Sequence, residues 1–89
     1  MQIWKYILKP LITLDIPKDA KILTAQEQYG EICLWALVNP TAPTETRTFE
    51  VYGPGHEIPY DMGIDRNYIA TVQLHGGSLV FHVFEYAGI

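Results

Sequence analysis

Eighty-nine residues are enough for one small domain spanning 1–89, with little interior in which to hide apolar side chains. A 48% hydrophobic and 18% charged composition excludes a disordered chain and predicts self-association as a homo-oligomer. With six Lys and Arg residues and a net charge of −4, the chain cannot present the wide basic footprint of a general nucleic-acid binder.

Residues 1–9 alternate Ile3, Lys5, Ile7 and Lys9 against Trp4, Tyr6 and Leu8, the period of a half-wet strand that Pro10 ends. Ile12, Leu14 and Ile16 alternate in a second strand, closed by Pro17. Residues 17–20 read as a turn, with Pro17 set for the bend and Asp19 able to bond local backbone. Residues 21–28 form a third strand before a turn at Tyr29, Gly30 and Glu31.

Residues 32–38 are apolar on both faces. That pattern suits a central strand covered on both sides, or one whose outer face meets another subunit. Pro40 and Pro43 mark residues 39–45 as a loop, and Arg47, Phe49 and Val51 alternate with Thr48, Glu50 and Tyr52 in the next strand. Residues 53–67 are irregular over about fifteen positions, a length that marks functional or disordered loops, and Ile58, Tyr60, Met62 and Ile64 lead us to expect it packed. Runs 68–74 and 79–86 flank His75, Gly76, Gly77 and Ser78 as a hairpin. The sum is an all-β fold, a small antiparallel β-sandwich or barrel of about seven short strands.

No catalytic set emerges. The one serine, Ser78, lacks a nucleophile-elbow context, and the three histidines and one cysteine have no zinc spacing, so no metal or cofactor is expected. Cys33 lies in the apolar run and reads as a buried structural thiol. His82, between Val80 and Phe84, reads as a core histidine, and His75 as a turn residue.

A ligand pocket has more support. His56 stands on the Gly53-Pro54-Gly55 loop beside Tyr52, and loops held by rigid strands carry much of protein function. Arg47 and Arg66, the two arginines, bracket that segment, and Tyr52, Tyr60 and Tyr68 share it. A guanidinium fork meets phosphate or carboxylate and stacks on rings, and tyrosine adds a ring face and a hydroxyl. The competing reading is local ion pairing, Arg47 with Glu45 or Glu50 and Arg66 with Asp65 or Asp61. The N-terminus has no signal-peptide pattern, and no apolar run approaches the ~18 residues of a membrane span, so a cytoplasmic protein is expected.

Several segments together carry a resemblance: Ile3-Trp4-Lys5, Cys33-Leu34-Trp35-Ala36-Leu37-Val38, Arg47-Thr48-Phe49, Val51-Tyr52-Gly53-Pro54-Gly55-His56-Glu57-Ile58-Pro59, and Leu79-Val80-Phe81-His82-Val83-Phe84-Glu85. In these the chain resembles a family of short, uncharacterised proteins of tailed phages and bacterial genomes. Small phage proteins of this size include oligomeric sponges that sequester nucleotide immune signals, and likeness of origin and size extends that expectation here. The expected function is therefore an accessory protein that binds an anionic or nucleotide-like small molecule. Arg47 and Arg66 would meet the charge, Tyr52 and Tyr60 would stack, and His56 would donate a hydrogen bond. The alternative expectation is a non-enzymatic interaction module that presents the apolar run, or a strand edge, to a host or virion protein.

Overall fold

A computed structural model describes residues 1–55, 57, 58 and 66–87. Among the described residues, alternating apolar positions produce seven strands: β1 (Gln2–Ile7), β2 (Leu11–Pro17), β3 (Lys21–Gln28), β4 (Glu31–Val38), β5 (Thr44–Tyr52), β6 (Arg66–Leu74) and β7 (Leu79–Tyr86). They pair antiparallel in two sheets, β1-β4-β3 and β2-β5-β7-β6, so the fold is an all-β sandwich. The sheets adjoin at one corner, where β3 runs beside β6.

Turn chemistry sets the local pairings. Tyr29 (φ 52°) and Gly30 (φ 81°) both take left-handed backbone, the requirement of a two-residue hairpin turn between β3 and β4. The β6–β7 hairpin closes through a short 3-10 turn over His75–Gly77, with His75 in its expected turn position. Three connections cross between the sheets. After β1 the chain bends at Pro10, whose carbonyl accepts from the Val51 N–H at 2.9 Å, and the turn after β2 is tied at Lys18 N to Pro43 O, 2.7 Å.

Period two sorts the side chains. On β4, Ile32, Leu34, Ala36 and Val38 face the four-stranded sheet and meet Phe49, Val51, Ala70, Val72, Val83 and Ile16 in two adjoining core clusters. Cys33, Trp35 and Leu37 take the opposite face, together with Ile3, Lys5 and Ile7 of β1. Only the inner face of β4 is covered by the other sheet. Cys33 is a free, buried thiol as its context implied.

On β7 the inward register belongs to Phe81, Val83 and Glu85, and the outward one to Val80, His82, Phe84 and Tyr86. This corrects the expectation of a core histidine. His82 faces outward, and its Nδ1 shares a 2.9 Å hydrogen bond with the Thr71 hydroxyl. The sequence pattern misleads because the charged residue of the strand, Glu85, points inward to an arginine.

Candidate functional site

Arg47 sits on β5 in register with inward-facing Leu14 of β2, between apolar neighbours. Its guanidinium is held from three directions. Nε and Nη2 donate to the two carboxylate oxygens of Glu85 at 2.6 and 2.7 Å, and Nη1 donates to the Ala20 carbonyl at 2.6 Å. Ala20 immediately precedes β3, so this one side chain ties the four-stranded sheet to the edge of the three-stranded one. The bonds to Glu85 raise the Arg47 pKa above its ordinary value, against the opposing effect of burial.

Arg66 begins β6 on the opposite, outward face. Its Nε donates to Glu50 Oε1 at 2.6 Å, which raises its pKa, and its guanidinium carbon lies 5.7 Å from the centre of the Tyr86 ring. Glu50 is only 8% exposed, and it also accepts from the Tyr52 hydroxyl at 2.6 Å. Burial, and then that bond, push the Tyr52 phenol above its usual range.

Rings continue outward from this ion pair. Phe84 lies between Tyr52 and Tyr68, edge-on to both, with centroids 6.0 and 5.7 Å away. Tyr68 is 59% exposed and shares a 2.6 Å hydrogen bond with Thr71, which links it to His82. Beside Tyr52 opens a groove of about 640 Å³ lined by Pro10, Leu11, Glu50, Val51, Gly55 and Glu57.

Of the residues singled out in the sequence, Tyr52 and Arg66 come together on Glu50, whereas Arg47 lies on the other face of the same sheet. His56 and Tyr60 fall outside the described residues. Both arginines form ion pairs, but with Glu85 and Glu50. Glu50 is one of the partners anticipated for Arg47 and pairs instead with Arg66; Glu45 does not pair with Arg47, and Asp61 and Asp65 are not described. Phe84 and Tyr86 were missed by sequence reasoning, and Glu50 was read only as a partner for Arg47. The signal that could have found them is the period-two placement of Phe84 and Tyr86 on the same face as Glu50, which becomes visible only once β7 is known to pair with β5.

Among the described residues no three His, Cys, Asp or Glu side chains converge as a metal site, and no helix is long and apolar enough to cross a membrane. No curated protein and no solved structure is detectably similar to the chain. A family profile, by contrast, covers nearly the whole length, from β1 to the residues just after β7. With residues 1–88 matched, the chain belongs to the family described as domain of unknown function DUF7352.

Proposed function

We propose that this chain is a small, phage-type accessory protein that acts by binding a nucleotide-like molecule, recognised mainly by its ring. The observation that carries the reading is the outward aromatic cluster of Tyr52, Phe84 and Tyr68 beside the Tyr52 groove. Stacking a base on an aromatic side chain contributes about 1–3 kcal/mol and tolerates different bases. The groove volume lies within the roughly 300–1,000 Å³ typical of small-molecule sites.

The same geometry shifts weight from charge to ring. The Arg66 fork faces Glu50, so the pair is close to neutral. Glu50 and Glu57 on the groove wall suit the amino groups of a base better than a phosphate. An immune-signal sponge is one use of such a site, because sequestration needs affinity and abundance and no bond has to break.

Calorimetric titration with matched nucleosides and nucleotides tests the reading. Nucleoside and nucleotide should bind within a few-fold of each other, and Tyr52→Ala should weaken both by roughly 5- to 150-fold, the equivalent of one lost stacking contact. Binding that requires the phosphate and survives Tyr52→Ala, or no binding across the panel, overturns it.

A second reading, a protein-interaction module, is favoured by a different observation. Ile3 and Ile7 are 61% and 49% exposed on the outer face of β1-β4-β3. Capture of a host or virion protein that Ile7→Lys abolishes, with the Tyr52→Ala protein still active, would select it over the ligand reading.

A further inference from the structure

We infer that the outer face of β1-β4-β3 is a self-association surface whose occupant is a second copy of this chain, laid face to face with its strands reversed. The inference does not depend on the ligand reading, which concerns the other sheet.

The face carries exposed apolar side chains, Ile3 and Ile7, where a solvated sheet face should be polar. Ile3 and Ile7 of β1 stand beside Trp35 and Leu37 of β4, with Thr24, Gln26 and Gln28 as the flanking outward residues of β3. Lys5 interrupts the patch: its Nζ donates to Gln28 Oε1 at 2.8 Å, so its stem crosses the middle strand β4 from one flanking strand towards the other. The charged residues in the outward register are Lys5, Lys21 and Glu31.

The order of those charges specifies the occupant. Lys21 pairs in register with Leu37 at one end of the sheet, and Glu31 lies six residues away on β4, roughly 20 Å along the strand. A two-fold axis crossing β4 near Leu34 reverses the strands and brings Glu31 of the second copy to the Lys21 end. Symmetry creates the same pair at the opposite end. With the strands kept parallel, Glu31 would instead meet Glu31. The Lys21 and Glu31 positions are thus self-complementary in one orientation, which is the requirement of an isologous interface.

The footprint limits the affinity. Three strands about 4.8 Å apart over some 20 Å cover roughly 300 Å². A standard interface buries about 800 Å² per partner, so this dimer belongs to the weak, reversible class and its population follows concentration.

Sedimentation velocity over a concentration series reads this directly. The wild type should shift from monomer to dimer, and Ile7→Lys should remain monomeric with unchanged circular dichroism. Lys21→Glu and Glu31→Lys should each weaken the dimer at least several-fold, and the double charge swap should restore it. A monomer at every concentration overturns the inference, whether or not another protein then proves to occupy the face. So does a dimer that ignores Ile7→Lys, or single charge changes with no rescue in the double variant.

Discussion

Replacing Arg47 with methionine keeps much of the side-chain volume but removes the fork that joins the sheets. The change leaves the Glu85 carboxylate and the Ala20 carbonyl without their donors at 2.6–2.7 Å. A fully buried pair broken on one side costs about 3–5 kcal/mol, and an exposed one at most about 1 kcal/mol. The Arg47 and Glu85 side chains are 18% and 15% exposed, which places the loss between those limits, at about 2–3 kcal/mol. In a domain of this size each kcal/mol moves the midpoint by about 4–8 °C, so Arg47→Met should melt about 10–20 °C lower. Urea denaturation followed by circular dichroism supplies the free energy. The double variant Arg47→Met/Glu85→Met should lose less than the two single losses added, with a coupling of about 1–2 kcal/mol. A loss within about 0.5 kcal/mol for Arg47→Met, or strict additivity in the cycle, would refute the structural role given to this arginine.

Three further outcomes follow from other parts of the fold. The Tyr6 hydroxyl is buried without a hydrogen-bond partner among the described residues, and an unsatisfied buried group costs about 1–3 kcal/mol, so Tyr6→Phe should raise urea stability or leave it unchanged. A clear loss would place an unseen partner at that oxygen. Tyr29→Asn, in the left-handed position of the β3–β4 turn, should stabilise by up to about 1 kcal/mol, and a destabilised variant would show that the exposed ring makes a needed contact. Burial holds the phenols of Tyr6 and Tyr52 protonated above the ordinary value of 10.0, so the stability they contribute is complete below it. That stability declines as pH rises through their higher folded-state values, and Tyr6→Phe should flatten the alkaline part of a stability–pH curve.

Much of the fold is legible in the sequence because its signals are local. Every expected strand is present, with β5 starting at Thr44 and β6 at Arg66, each two residues earlier than periodicity alone suggests. Both hairpins carry glycine at left-handed positions, a requirement local sequence can express. The pairing of β1 with β4, and the insertion of β7 between β5 and β6, are not local and leave no short-range mark.

The site is less legible for the same reason. Arg47 and Glu85 are 38 residues apart, and Arg66 and Glu50 are 16 apart, so choosing partners from neighbours in sequence selects different carboxylates. The placement of Glu85 also inverts the apparent polarity of β7 and carries His82 outward with Phe84 and Tyr86. What the sequence does show is the doubly apolar strand at residues 32–38, whose outer face lies beside the exposed Ile3 and Ile7 of β1.

The central claim is that the outward rings of the four-stranded sheet form a binding surface. Amide chemical-shift mapping with a nucleoside tests it most directly, because the two faces of the molecule report through different strands. The account predicts saturable shifts at Tyr52, Tyr68, His82 and Phe84, with β3 and β4 unmoved. Shifts confined to β1, β3 and β4, or none at millimolar nucleoside and nucleotide, would contradict it.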